Sequence, residues 1–232
     1  MGKPVQCCWA GFYLFFFMAG FPAILYGYSI VKFIAFDLET TGVKPKEDMV
    51  VEIGAVLFDG PQAVKGYGTL IDPGIPVPPE ASAVNGISDD MLRGKPRIAD
   101  VLGEFADFCG DLPLVAHNAP FDFKFLLEDV KLHRAAAPKG IVLDTLPLVR
   151  KIFPGLPNYK LGTLVRHFGF PSGTFHRAEE DSAYCGLLFD KIVQTLEMRR
   201  EPCSVADLAR MIGKEEVRFP QFAPQPNQLD LF

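Results

Sequence analysis

Residues 30–42 read IVKFIAFDLETTG, a run of β-branched and aromatic residues that ends in two acidic positions. Such a run predicts a buried strand. Because side chains two positions apart on a strand point to the same face, Asp37 and Glu39 are predicted to lie side by side. Neighbouring carboxylates repel each other unless a cation lies between them, and hard Mg²⁺ or Mn²⁺ prefers such oxygen ligands. Taken alone, the pair is more often a solvated strand end than a metal site.

Further strands and helices are predicted through the middle of the chain. The segments VVEIGAVLFDG and KGYGTLIDPG predict two strands beside the first, and shorter strands are predicted at LPLVAHN and IVLD. Helices are predicted at residues 98–109, 120–132, 145–152, 160–168 and 178–199. Strands followed by strands interleaved with helices indicate an α/β domain with a mixed sheet over residues 30–200.

More acidic residues stand where these predicted strands end and helices begin. Asp122 lies near the start of the helix after LPLVAHN, and Asp181 lies in the first turns of another helix, which His176 precedes. Ligands bind at the strand ends of open α/β sheets, so these side chains are expected to converge there with Asp37 and Glu39. Four carboxylates and a histidine suit a two-metal phosphodiester hydrolase, in which His176 would take the proton of the attacking water.

The segments FDLETTG, HNAPFD and HRAEEDS resemble, in this order and spacing, the three motifs of the DEDDh 3′ to 5′ exonucleases. This group includes the proofreading subunit of bacterial replicative DNA polymerase. The resemblance covers about residues 33–189 and implies a ribonuclease H-like fold, a mixed sheet flanked by helices. It implies two bound Mg²⁺ or Mn²⁺ ions, with His176 as the general base. The implied metal ligands are Asp37, Glu39, Asp122 and Asp181.

Other residues of the motifs are candidates for contact with the nucleic acid. By resemblance, Leu38 would wedge against a base, and Thr40 and Thr41 would shape the loop that meets the terminal nucleotide. Asn118 either binds the substrate or holds its own loop. Phe121 either stacks on a base or belongs to the core.

Two further acidic residues are open to more than one interpretation. Glu52, on the second predicted strand, is either a surface residue or a neighbour of the metal site. Asp144 is predicted to cap the helix that follows it.

The first 29 residues form a separate apolar segment. No charged residue lies between Lys3 and Lys32, and residues 5–28 are long enough to cross a bilayer as a helix. Glycines and a proline interrupt the run, so an extension packed on the domain, a wrongly assigned start and a cleaved signal peptide are alternatives. Membrane association through residues 5–28 would anchor the protein at the cytoplasmic face of the inner membrane. Without it, a cytoplasmic protein is expected.

Net charge and cysteine content set looser bounds. A net charge of −5 at pH 7 does not indicate a surface that coats nucleic acid in general. The five cysteines lack C-x-x-C spacing, so they indicate thiols in a reducing compartment and exclude a disulfide framework or a zinc site of that type.

The C-terminal region is predicted to begin with a short helix within residues 201–213. A flexible, proline-rich tail is predicted over residues 214–232, with few residues that could form a core. Its last residues, QLDLF, resemble the pentapeptide by which bacterial polymerases and repair proteins bind the replication sliding clamp. The apolar anchors would be Leu229, Leu231 and Phe232, and Gln228 would make an orienting hydrogen bond. A segment folded back onto the domain is the alternative.

Together these features predict a 3′ to 5′ exonuclease that acts on single-stranded 3′ ends of DNA in proofreading or repair. The expected partners are the sliding clamp and a separate polymerase subunit. The catalytic motifs do not distinguish DNA from RNA, so an RNA 3′-end-trimming exoribonuclease is one alternative. A module for clamp or membrane recruitment, with incidental catalysis, is the other.

Overall fold

The structure is a computed structural model and describes residues 32–171, 176–213 and 216–222. The apolar N-terminal segment and the QLDLF sequence lie outside these described residues. Among the helices of the described part of the chain, none is both long and apolar enough to cross a membrane.

A five-stranded mixed sheet forms the centre of the fold, with the strand order β3-β2-β1-β4-β5. The strands are β1 (Lys32–Thr40), β2 (Val50–Asp59), β3 (Gln62–Leu70), β4 (Leu114–Ala116) and β5 (Val142–Asp144). The pairs β1·β2 and β2·β3 are antiparallel, whereas β1·β4 and β4·β5 are parallel. The carboxyl ends of β1, β4 and β5 therefore meet at one edge of the sheet, where an α/β fold binds its ligands.

Helices cover both faces of this sheet. They are α1 (Pro79–Asn85), α2 (Asp89–Leu92), α3 (Ile98–Cys109), α4 (Pro120–His133), α5 (Thr145–Ile152), α6 (Leu161–Phe168), α7 (Ala178–Arg199) and α8 (Val205–Ile212). The helices predicted from the apolar periodicity are present, with bounds that differ by a residue or so.

The apolar run of β1 is explained by its burial on both faces. Phe33 faces the side covered by α7, where it packs against Phe58 and Phe189 with ring centroids 5.0 and 4.8 Å away. Ile34 and Phe36 face the opposite side, in a core formed with α3 and α4. A strand covered on both faces reads as a continuous apolar run, and this run ends where Asp37 and Glu39 begin the polar edge.

The end of the described chain packs more than its sequence predicts. Val217 pairs with Val142 on the outer edge of β5, and the backbone N–H of Val142 donates to the carbonyl oxygen of Val217 over 2.8 Å. Phe219 is 4% exposed and packs against Phe123 of α4 with ring centroids 4.6 Å apart. The expectation of an unpacked tail is therefore wrong for residues 216–222, which we call the strap. The physical reason is the free edge of β5, which offers an unpaired backbone donor.

Replacing Phe219 with alanine tests the strap. The change removes a buried ring and leaves a cavity, so the free energy of unfolding should fall by about 3 kcal/mol in chemical denaturation. Met198→Ala is the control, because Met198 is exposed on α7 and its loss should change stability by no more than about 0.5 kcal/mol. Equal effects of the two substitutions would show that the strap does not pack on the domain in solution.

Candidate active site

The first motif lies at the end of β1, next to β2. Asp37 stands opposite Gly54 of β2, and Glu39 stands opposite Glu52. The alternation of β1 sends both carboxylates to one face, as the sequence predicts.

The second motif brings Asp122 beside this strand end. Pro120 starts α4, and Asp122 lies in the first turn of the helix, 2% exposed. Its Oδ1 atom accepts a hydrogen bond from the backbone N–H of Leu38 over 3.2 Å. Because Leu38 lies between Asp37 and Glu39 in the sequence, this bond holds Asp122 beside the end of β1 that carries both carboxylates.

The third motif approaches from the start of α7. The backbone N–H of His176 donates to Oδ2 of Asp181 over 3.1 Å, which joins the residue before the helix to its first turn. His176 has φ of +69°, in the left-handed region that residues with a side chain rarely adopt. Glu39, His176 and Asp181 can each offer one ligand atom such that all three atoms lie within 4.8 Å of one another.

Burial and mutual repulsion raise the pKa of every carboxyl group in this cluster. The pKa of Glu39 rises to about 7, first through burial and then through Asp181 and Glu52. Burial is the main reason that the pKa of Asp181 rises to about 6. Burial also raises the pKa of Asp122 to about 8, and burial followed by the charges of Asp122 and Asp181 raises the pKa of Asp37 well above its usual value. The site is therefore unfavourable for four negative charges unless a cation compensates them.

These groups fit a divalent cation. Oxygen ligands from carboxylates are what Mg²⁺ and Mn²⁺ prefer. In addition, Oδ1 of Asp181 is buried and has no hydrogen-bond partner among the described residues, so its lone pairs are available to a metal ion. The four carboxyl groups thus have both the chemistry and the unused acceptor that a metal site requires.

Comparison with known proteins agrees with this geometry. The sequence profile of the RNase T exonuclease family matches residues 34–189. The chain belongs to this exonuclease family. DNA polymerase III subunit epsilon of Treponema pallidum is similar to it, with 41% identity over 165 residues that cover 70% of this chain and 77% of the relative.

Two further similarities extend the comparison. DNA polymerase III PolC-type of Clostridium perfringens is 36% identical over 151 residues, and the match covers 65% of this exonuclease but 10% of that polymerase. The structure of exonuclease X in complex with 5′ overhanging duplex DNA is similar, with a TM-score of 0.64, 26% identity, and coverage of 78% of this chain and 99% of that one. The ribonuclease H-like fold is confirmed, and the chain is a 3′ to 5′ exonuclease, a phosphodiester hydrolase.

Hydrogen bonds hold the last residues of the first motif, from Thr40 to Gly42, in place. The hydroxyl of Thr40 donates to the carbonyl oxygen of Gly42 over 2.6 Å, and the hydroxyl of Thr41 accepts from the backbone N–H of Met49 over 2.9 Å. Both threonines are buried, so they shape the loop through these bonds. Leu38 is 5% exposed and lies in the core, and this placement does not support the expected contact of its side chain with a base.

In the second motif, the side chain of Asn118 is exposed to solvent and that of Phe121 is half-buried. Asn118 is exposed at φ of +68°, and its backbone N–H donates to Oδ1 of Asp144 over 3.0 Å. Asp144 also accepts from the backbone N–H of Leu146 over 3.0 Å, which confirms that it caps α5. Phe121 is half-buried against Phe125, with ring centroids 5.0 Å apart, which favours the core alternative.

Asn85 is a site residue that sequence reasoning missed. It is 5% exposed at the end of α1, and its side chain hydrogen-bonds Glu39, which lowers the pKa of that carboxyl group. Its Nδ2 atom also approaches the carbonyl oxygen of Thr40 at 3.4 Å. The sequence AVNGI gives only the glycine of a helix end as a signal, because nothing in it shows that α1 packs against the end of β1.

Asp122→Asn tests whether the buried charges oppose folding. In the folded protein the pKa of Asp122 is raised to about 8, so its proton stabilises the fold below about pH 4 and that stability is lost as pH rises towards 8. The asparagine oxygen still accepts from Leu38 but carries no charge. The metal-free variant should therefore melt roughly 4–8 °C above the natural protein at pH 8, as about 2 kcal/mol would produce.

This difference should vanish near pH 4, where the aspartate is protonated as well. The measurement is thermal unfolding in a chelator, with Asp111→Asn as the control because Asp111 is exposed. A variant that melts at or below the natural protein at pH 8 would contradict the expected charge repulsion.

Proposed function

We propose that this exonuclease removes nucleoside 5′-monophosphates one at a time from single-stranded 3′ ends of DNA, in proofreading or repair. The observation that carries the proposal is the meeting of three motifs at one edge of the sheet. There the first motif supplies two carboxylates, the second supplies Asp122, and the third supplies Asp181 with His176.

In this proposal the four carboxylates, Asp37, Glu39, Asp122 and Asp181, hold two Mg²⁺ or Mn²⁺ ions. When bound, such ions activate water, polarise the phosphate and stabilise the leaving oxygen. The carboxylates fix where the phosphodiester lies, because Asp122 is tied to β1 and Asp181 to the backbone before α7. Because these hydrogen bonds hold the two carboxylates in place, a substrate bound in another position would not be aligned for the reaction.

His176 acts as the general base in this proposal. It is the exposed member of the group with Glu39 and Asp181, so its imidazole can reach a water molecule on the open side of the crevice. A ring nitrogen of a neutral imidazole can accept the proton of the attacking water. The loop with Thr40 and Thr41 would meet the terminal nucleotide, and the exposed Asn118 would contact the strand.

The names of the relatives support DNA as the substrate. The relatives of Treponema pallidum and Clostridium perfringens are a subunit and a form of DNA polymerase III, and the similar solved structure contains DNA. We therefore infer that the chain works with a DNA polymerase. The similarity to a protein named as a subunit of DNA polymerase III favours a separate polymerase subunit as its partner.

We also propose that the C-terminal sequence binds the sliding clamp. Leu229, Leu231 and Phe232 would enter an apolar pocket of the clamp, and Gln228 would orient them. The resemblance of QLDLF to the clamp-binding pentapeptide supports this proposal, and the strap holds the chain against the domain as far as Phe222. Residues 223–232 can then extend at most about 34 Å, so clamp binding would keep the domain close to the DNA. Clamp binding also implies a cytoplasmic location.

A nuclease assay tests the catalytic proposal. The substrates are a DNA primer with a 3′ mismatch and an RNA of the same sequence, with Mg²⁺ or Mn²⁺ supplied. We expect metal-dependent release of 5′-monophosphates from the DNA 3′ end, and its loss in Asp37→Ala but not in the exposed control Asp111→Ala. Faster degradation of the RNA would favour the exoribonuclease alternative, and an active Asp37→Ala protein would contradict the metal site.

The same assay tests His176. His176→Ala should slow the reaction by about 10²–10⁴-fold, because no other group would take the proton. His133→Ala is the matched control, since His133 is an exposed residue at the end of α4. Similar rates for the two variants would remove His176 from the catalytic role.

Removal of the last five residues tests the clamp proposal. A chain that ends at Asn227 should degrade short free DNA at an unchanged rate but should not be stimulated by the clamp. The control keeps the full length and replaces Leu231 and Phe232 with serine, and it should behave like the shortened chain. Full clamp stimulation of either variant would contradict the proposal, and loss of folding would favour a segment packed on the domain.

A further inference from the structure

Glu52 is a buried carboxylate next to the four proposed metal ligands. It is 4% exposed and stands directly opposite Glu39 in the antiparallel register of β1 and β2. Residues in this relation point to the same face, where like charges destabilise a sheet. Glu52 must therefore have compensating contacts, or its charge would only add to the repulsion within the site.

Those contacts come from the residues that precede and begin α7. The Nη2 atom of Arg177 lies 2.7 Å from Oε1 of Glu52, and Nε lies 3.2 and 3.3 Å from the two carboxylate oxygens. The backbone N–H of Ala178 donates to Oε2 over 3.1 Å. A guanidinium fork on a carboxylate is a strong and directional contact, and here it joins β2 to the start of the third motif.

A second contact lies two residues further along β2. The hydroxyl of Ser182 is 3.0 Å from the carbonyl oxygen of Gly54. A Cβ atom on Gly54 would collide with the backbone of Ala178 and Glu179, so the helix start lies directly on the strand. Ala178 is fully buried there.

The two contact points coincide with the register of the first motif. Gly54 stands opposite Asp37, and Glu52 stands opposite Glu39. Because hydrogen bonds join β1 to β2 in this register, a shift of α7 against β2 would also move the two carboxylates of β1. His176, one residue before Arg177, adopts a left-handed backbone that persists only where neighbouring contacts enforce it.

We propose that Glu52 and Arg177 are positioning residues that form a latch between β2 and α7. The latch sets the distance from Asp37 and Glu39 to the pair formed by His176 and Asp181. Arg177 acts through His176 and Asp181, not by contact with the substrate. This inference rests on the proposed metal-dependent exonuclease function.

Conservative substitutions separate the latch from a general effect on folding. Arg177→Lys keeps the charge but loses the fork, and Glu52→Gln keeps the shape but loses the carboxylate charge. Each should lower kcat on a DNA oligonucleotide by about 10–100-fold, the range typical of residues that orient metal ligands, with KM changed by less than about threefold. The matched control is Arg93→Lys, which alters an exposed ion pair of the same 2.7 Å length with Asp90 and should leave kcat unchanged.

A double variant tests the route through His176. In a His176→Ala background, Arg177→Lys should cause a loss at least threefold smaller than in the natural protein, because one residue that it positions is already gone. An equal loss in both backgrounds would overturn the latch. An increase in KM with unchanged kcat would overturn it too, since Arg177 would then bind the DNA backbone.

Thermal unfolding of each variant accompanies the kinetics. If Glu52→Gln does not fold, Arg177→Lys decides the question alone, because the Arg177 side chain is half exposed and lysine keeps a positive charge beside the buried Glu52. Natural activity in Arg177→Lys would contradict the latch while leaving the exonuclease function intact. An inactive natural protein would instead contradict the proposed function.

Discussion

Repulsion among buried carboxylates is the constraint on which the rest of this structure depends. Asp37, Glu39, Asp122 and Asp181 meet at one edge of the sheet, and burial is the largest cause of the raised pKa of each. Four uncompensated charges in such a cluster would destabilise the folded protein. The rest of the fold must therefore be stable enough to hold them together. The stability comes from β1, whose apolar side chains are buried on both faces immediately before the acidic positions.

Each of the three motifs has its own buried polar contact that keeps it in place. Asn85 hydrogen-bonds Glu39 in the first motif, and Asp144 holds the backbone of Asn118 in the second. Glu52 binds the start of α7 in the third. None of these three side chains belongs to the motif that it holds. The active site is thus built from short motifs and from partners supplied by other elements, whose packing brings them into register.

The sequence predicts the parts of this site that depend on local pattern. The alternation of β1 predicts that Asp37 and Glu39 share a face, and the cap at Asp144 follows from its place before a helix. The sequence does not predict the contacts that depend on tertiary packing. From the sequence alone Glu52 is open between a surface residue and a neighbour of the site, because the approach of α7 to β2 is not encoded near it. The glycine after Asn85 signals only a helix end, for the same reason. The resemblance places Leu38 at the substrate, but the strand alternation that directs Asp37 and Glu39 to the site directs Leu38 into the core on the opposite face.

The strap shows the same limit on sequence reasoning. Its prolines and polar residues are typical of a linker, yet Phe219 is buried because α4 and the free edge of β5 provide a surface for it. An unpaired strand edge is a property of the assembled sheet and cannot be read from the segment that will cover it.

Because burial raises the pKa of each of these carboxyl groups, we expect the metal-free cluster to hold protons near neutral pH and to release them when divalent cations bind. Calorimetric titration of the metal-free protein with Mn²⁺, in buffers of different ionisation enthalpy, measures the protons released on binding. We expect a net release at pH 6.5 that declines towards zero by about pH 9, as the raised pKa values are passed. Binding without proton release at pH 6.5, or no binding, would contradict it.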